Sequence, residues 1–75
     1  MANAAATMIF RVEIEREDDG RWIAEVTDLP GALAYGTTRE EALTRAEALA
    51  LRIMADRLEH GEAVPPLDGV FSVSA

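Results

Sequence analysis

The stretch TDLPGALAYGTTREEAL, from Thr27 to Leu43, contains the signals for a turn, a short strand and the start of a helix. Its Asp-Leu-Pro-Gly segment is typical of a tight turn, because proline presets φ and glycine accepts a positive φ. The run ALAYG that follows predicts a short third strand. Its alanines (Ala32, Ala34) would let a helix approach closely, whereas Leu33 and Tyr35 would equally fill a core, so the sequence leaves the buried face open.

Two alternating segments precede this stretch and predict a β-hairpin. MIFRVEIER (residues 8–16) and RWIAEV (residues 21–26) carry apolar side chains at every second position. Matching the apolar faces predicts three cross-strand pairs: Ile14–Trp22, Val12–Ala24 and Phe10–Val26. The same register predicts two pairs of opposite charge, Glu15–Arg21 and Arg11–Glu25. It leaves a loop of odd length in which Gly20 is expected at positive φ.

The segment after Gly36 predicts one long helix whose two ends are marked. Thr38 is the expected N-cap and Glu41 completes a capping box, while Gly61 supplies the left-handed residue after the last turn. One apolar stripe follows the helix at three-and-four spacing: Ala42, Leu43, Ala46, Leu49, Ala50, Ile53, Met54 and Leu58. Two ion pairs at i,i+4 spacing, Glu41–Arg45 and Arg52–Asp56, indicate a solvated outer face.

The element order predicts an α+β fold of the type β-β-β-α-β. Pro65 and Pro66 prevent the helix from continuing, and GVFSV (residues 69–73) predicts a fourth strand. A right-handed crossover places that strand beside the first one, which gives a mainly antiparallel sheet of order 3-2-1-4 with the helix on one face. We expect residues 1–7 to be a flexible tail and residues 8–75 to form a single domain.

Composition restricts the function. Fourteen acidic against seven basic residues give a net charge of −7, which repels nucleic acid and attracts a basic partner, although acidity also serves solubility alone. There is no cysteine and a single histidine, His60, so we expect neither a metal nor another cofactor. The sequence shows no leader peptide and no apolar run that would span a membrane, and we expect a cytoplasmic protein.

Four segments give the chain a resemblance to the HicB-like antitoxin family: DDGRWIA (18–24), DLPG (28–31), GTTREEAL (36–43) and GEAVPP (61–66). In order and spacing they cover roughly residues 9–66. The resemblance implies a partial ribonuclease-H-like fold and a protein that neutralises a small basic ribonuclease toxin, HicA. Thr27 stands where the family often has proline, and Ala32 where cysteine is frequent. Longer members carry a C-terminal DNA-binding segment, and we expect this chain alone not to bind operator DNA.

The toxin-binding residues expected from this reading fall into two groups. Five carboxylates near the hairpin end would steer a basic toxin: Glu13, Glu15, Glu17, Asp18 and Asp19. A rigid turn would supply apolar anchors around Leu29, Pro30 and Tyr35, with Asp28 as a partner for a toxin lysine or arginine.

Two other functions compete with this interpretation. A minimal ribonuclease-H-type nuclease would gather Glu13 or Glu15 with Glu47 and Asp68 around metal ions, but the strand register separates the first two from the helix. An orphan regulatory or structural oligomer without a toxin is the second alternative. Whether the protein is an antitoxin or an orphan, we expect a homo-oligomer, a dimer or tetramer. A chain this small gains stability by burying the exposed sheet edge at strand three or four.

Overall fold

The computed structural model describes residues 9–64 together with Phe71 and Ser74. Within that part the chain forms β1 (Val12–Arg16), β2 (Trp22–Val26), β3 (Leu33–Gly36) and α1 (Arg39–Glu59). The strands form an antiparallel sheet in the order β1-β2-β3, which confirms the α+β class and the described part of the predicted order. The predicted tail (1–7) lies outside the described residues, and so does the predicted fourth strand (69–73) apart from Phe71.

The predicted hairpin register is wrong by two residues. The observed pairs of β1 with β2 are Val12–Val26, Glu13–Glu25, Ile14–Ala24, Glu15–Ile23 and Arg16–Trp22. Every side chain keeps its predicted face, because a slip of two residues preserves the alternation. The predicted charge pairs Glu15–Arg21 and Arg11–Glu25 are therefore not formed across the ladder. Two like charges, Glu13 and Glu25, face each other instead.

The hairpin loop accounts for this register. The Glu17 N–H donates to the Arg21 carbonyl at 2.7 Å, and the Gly20 N–H donates to the Glu17 carbonyl at 2.9 Å. These bonds pair Glu17 with Arg21, where the prediction paired Glu15, and leave a shorter loop from Asp18 to Gly20. Gly20 has φ +92°, as the sequence predicts for a loop of odd length.

The predicted N-cap and the predicted left-handed glycine are confirmed, but the capping box is not formed as predicted, because the Glu41 carboxylate accepts the N–H of Thr37 and not that of Thr38. Thr38 is the N-cap, and its Oγ1 accepts the Glu41 N–H at 3.0 Å. At the other end Gly61 has φ +69°; its N–H donates to the Leu58 carbonyl and the Glu62 N–H donates to the Arg57 carbonyl. This pair of bonds is a Schellman motif, which satisfies carbonyls that the last turn leaves without partners.

The helix packs on the sheet face that the alternation predicts. The buried core consists of Ala24, Val26, Leu29, Ala32, Ala42, Ala46, Ala50 and Met54, with Phe10, Val12, Ile14, Trp22, Ala34 and Ile53 packed around it. The fully buried line of α1 thus runs at i,i+4 spacing through three alanines to Met54. Leu58, predicted in the stripe, is 51% exposed and does not belong to the core.

The alanine face of β3 is the buried one. Ala32 and Gly36 are buried and Ala34 is half-buried, whereas Leu33 and Tyr35 point to the opposite face of the sheet. Small side chains are needed here because α1 starts immediately after the strand. A Cβ placed on Gly36 would lie 2.5 Å from the Ala42 nitrogen.

Of the two ion pairs predicted along the helix, one is formed. Arg45 Nη2 lies 3.2 Å from Glu41 Oε2. Asp56 does not pair with Arg52 in the described residues; its Oδ1 lies 3.4 Å from His60 Nδ1 instead. The ring of His60 also lies 2.8 Å from the Asp56 carbonyl, so the last turn of the helix holds this carboxylate and the histidine together.

Candidate partner-binding surface

The helix leaves one face of the sheet uncovered, and this open face is the main candidate surface. We define the open face by Glu13, Glu15, Ile23, Glu25, Leu33 and Tyr35. Its β1 and β2 residues line a shallow depression of ≈ 170 Å³. Tyr35 lies opposite Ile23 and Leu33 lies opposite Glu25 in the β2–β3 ladder. The open face is thus an apolar strip bordered by carboxylates.

The structure separates the five predicted steering carboxylates into two groups. Glu13 and Glu15 belong to the open face, while Glu17, Asp18 and Asp19 form the hairpin end, and Glu15 also lines the depression at the hairpin end. The sequence alone presents all five as one acidic run. Glu13, Glu15 and Glu17 alternate onto one face, but the chain reverses after Glu17, which places Glu17 at the end of the hairpin beside Asp18 and Asp19.

Asp19 is already engaged by the chain itself. Its carboxylate accepts the Arg21 backbone N–H at 3.0 Å and the Arg21 Nε–H at 2.8 Å. The backbone hydrogen bond from Arg21, followed by the side-chain bond and the guanidinium charge, lowers the pKa of Asp19 below its usual value. The same guanidinium lies 4.5 Å from the centre of the Tyr35 ring, a cation–π contact. Arg21 therefore links the hairpin end to the open face.

The turn residues have structural roles. Asp28 Oδ2 accepts the Arg11 backbone N–H at 2.9 Å and so ties the turn to the start of β1. Leu29 is 1% exposed, which corrects its prediction as an apolar anchor: its side chain lies in the core. Pro30 is exposed, and Gly31 follows it at φ +93°, as in a type II turn.

The open face also contains residues that were not among the predicted toxin-binding residues. Ile23, Glu25 and Leu33 join Tyr35 and the β1 glutamates only because β1, β2 and β3 pair in one register. The alternation of RWIAEV placed Ile23 and Glu25 opposite the core, which was the available signal. Leu33 has no such signal, because ALAYG is apolar on both faces.

The carboxylates of the nuclease alternative do not converge. Glu13 and Glu15 lie on the open face, whereas Glu47 lies on α1, on the other side of the sheet. Asp68 lies outside the described residues. Within the part of the chain that the structure describes, no three acidic or histidine side chains are placed to hold a metal ion. In the same part, no helix combines the length and the apolarity that crossing a bilayer requires.

The comparison with solved structures gives the fold a precedent. The crystal structure of the N-terminal domain of Burkholderia pseudomallei antitoxin HicB is similar to this chain with a TM-score of 0.69 and 23% sequence identity, covering 88% of this chain and 72% of that one. At this identity the likeness shows a shared fold, the fold that the sequence resemblance implies. No protein-family model matches the chain, and no curated protein matches it in sequence.

Proposed function

We propose that this protein is a HicB-like antitoxin that binds and neutralises a small basic ribonuclease. The observation that carries the proposal is the fold likeness to the N-terminal domain of an antitoxin over 88% of this chain. The four sequence segments that resemble the HicB-like family support it separately, since they depend on side-chain types and spacing. The fold likeness depends on the path of the backbone.

The charge of the chain supports a basic partner. A net charge of −7 disfavours contact with a phosphate backbone and favours association with a cationic protein. The core side of the sheet is filled by α1, whereas the open face and the hairpin end are both exposed acidic surfaces that a partner can reach. Inhibition by covering the toxin requires only such a surface and no catalytic group on this chain.

Growth rescue tests the proposal. Each small basic open reading frame of the source genome that arrests growth when expressed alone is expressed together with this protein. We expect rescue from at least one of them, and we expect the purified pair to form a complex in which RNA cleavage is blocked. If none is rescued, the protein is not an antitoxin and the orphan oligomer becomes the better reading.

The protein by itself provides the matched control. Incubated with RNA or RNA–DNA hybrid and magnesium or manganese, it is expected to leave the nucleic acid intact. Cleavage that disappears in Glu13→Gln would contradict the proposed function and would support the nuclease instead.

A further inference from the structure

We propose that the open face of the sheet, rather than the hairpin end, is the surface that docks the basic toxin. This inference rests on the proposed function and specifies its site. The occupant is a protein that presents arginine or lysine around an apolar contact. Three features of the open face point to it: exposed apolar side chains on rigid strands, an unfavourable pairing of like charges, and three glutamates that form no ion pair with the arginines of this chain.

The apolar strip is presented by regular structure. Leu33 and Tyr35 are each 38% exposed, and Ile23 beside them is half-buried. Side chains on paired strands are held in place before binding, so docking them costs less conformational entropy than docking a loop would. Tyr35 is further fixed by the Arg21 guanidinium over its ring. Aromatic residues held in this way are the usual anchors of protein interfaces.

The carboxylates around the strip repel each other in the free protein. Glu13 and Glu25 are directly opposite, a cross-strand pair of like charge that destabilises a sheet. Glu15 is two positions along the same face of β1. All seven arginines of the sequence lie among the described residues, and none of them forms an ion pair with these three glutamates. A cation from a partner would remove the repulsion.

The hairpin end is a poorer candidate. Asp19, one of its three carboxylates, is neutralised by Arg21 through two hydrogen bonds. The lining of its surface depression also includes Arg16, a second cation. Its apolar area is small, so it offers charge without an anchor. It contributes to steering of the approaching partner and not to tight binding.

The test uses Glu25→Lys, which has opposite expected effects on folding and on binding. The new lysine faces Glu13, so the free domain is expected to melt a few degrees higher. The same charge reversal in the interface is expected to weaken binding to the toxin identified by growth rescue by about tenfold or more. A variant that is more stable and binds less well cannot owe its loss to unfolding.

Two variants with the same charge change serve as controls. Glu47→Lys lies on α1 behind the sheet and is expected to bind within about threefold of the unmodified protein, since long-range steering alone is affected. Asp18→Lys tests the hairpin end and is expected to slow association at low salt without changing the dissociation rate.

The apolar anchor is tested at Tyr35. Tyr35→Ala is expected to raise the dissociation rate about tenfold, while Tyr35→Phe, which keeps the ring, stays within about threefold of the unmodified protein.

The outcomes separate this inference from the proposed function. If the unmodified protein binds no toxin, the proposed function fails. If it binds and Glu25→Lys behaves like Glu47→Lys, the open face is not the docking surface. If Asp18→Lys has the larger effect on the dissociation rate, the hairpin end is the surface and the inference is overturned.

Discussion

The guanidinium of Arg45 on α1 donates a hydrogen bond to the backbone carbonyl of Tyr35 on β3, with 3.0 Å between Nη1 and the oxygen. This carbonyl is on the outer edge of the sheet, where no further strand of the described residues pairs with it. Glu41 holds the same guanidinium at 3.2 Å and accepts the Thr37 N–H at 2.6 Å. The start of the helix therefore covers the edge of β3.

A second bond shortens the exposed edge further. The Leu33 N–H donates to the Gly31 carbonyl at 3.0 Å. Unpaired edge strands are templates for pairing with another chain, and blocking their donors and acceptors prevents that pairing. An assembly of this protein through β3 would have to break the Arg45 contact. The homo-oligomer expected from the size of the chain is thus expected to use another surface.

Replacing Arg45 by methionine is expected to promote strand pairing between molecules. The aliphatic part of the side chain is kept, while the Tyr35 carbonyl loses its donor and becomes available to a neighbouring chain. Sedimentation velocity at micromolar concentration is expected to show the dimer or tetramer for the unmodified protein and larger species for Arg45→Met. Arg52→Met is the matched control on the same helix, and equal distributions for all three proteins would contradict the role of Arg45.

Stability is expected to fall in acid, in part through Glu41. The hydrogen bond from the Thr37 N–H, then that from its hydroxyl, and the Arg45 charge lower the pKa of Glu41 below its usual value. A carboxyl whose pKa is lower in the folded state stabilises the fold above its unfolded pKa, and this contribution is lost as the pH falls through the folded pKa. Thermal melting between about pH 5 and pH 3 measures the loss.

Glu41→Gln is expected to flatten this pH dependence, because the amide oxygen still accepts the Thr37 hydrogen bonds and does not titrate. Glu40→Gln, at the neighbouring exposed position, is the control and is expected to keep the slope of the unmodified protein. A slope that is the same for Glu41→Gln and Glu40→Gln would show that Glu41 does not contribute.

Gly36→Ala is expected to be among the most damaging single substitutions in the chain. Its Cβ would lie 2.5 Å from the Ala42 nitrogen and 3.0 Å from the Ala42 Cα, both backbone atoms of the first helical turn. Forcing α1 away from β3 is expected to cost about 2 to 3 kcal/mol or more in the free energy of unfolding. Gly20→Asn is the comparison, because φ there is +92° and no atom lies within 4 Å of a Cβ. Urea denaturation should show a loss below about 1 kcal/mol for Gly20→Asn, since asparagine tolerates the left-handed region.

Leu29→Ala is expected to reduce stability, as a core residue would. Its side chain is one of the two largest that are fully buried, and removing it from a packed core costs about 2 to 5 kcal/mol. Pro30→Ala, one residue further on an exposed turn, is expected to cost about 1 kcal/mol or less, through the unfolded state. Chemical denaturation compares the two, and equal losses would contradict the core position of Leu29.

Features that depend on a few neighbouring residues could be predicted from the sequence alone. The N-cap at Thr38, the left-handed residues Gly20 and Gly61 and the apolar face of each hairpin strand were all predicted and are confirmed. Each depends on a side chain bonding to the adjacent backbone, on the φ range of glycine, or on the two-residue period of a strand. The class of the fold could be predicted from the order of these locally determined strands and helix.

The members of the open face were decided by tertiary structure. Alternation is unchanged by a slip of two residues, so it could not show that Glu13 faces Glu25; the hydrogen bonds of the Asp18–Gly20 loop did. The outward direction of Tyr35 had no local signal, because ALAYG is apolar on both faces, and the burial of Leu29 had none, because an apolar side chain in a turn can face the core or the solvent. The close approach of α1 to β3 decided the direction of Tyr35: there is room beneath the helix for alanine and glycine, and the larger side chains of β3 must point to the other face. The turn from Leu29 to Ala32 places the Leu29 side chain in the core.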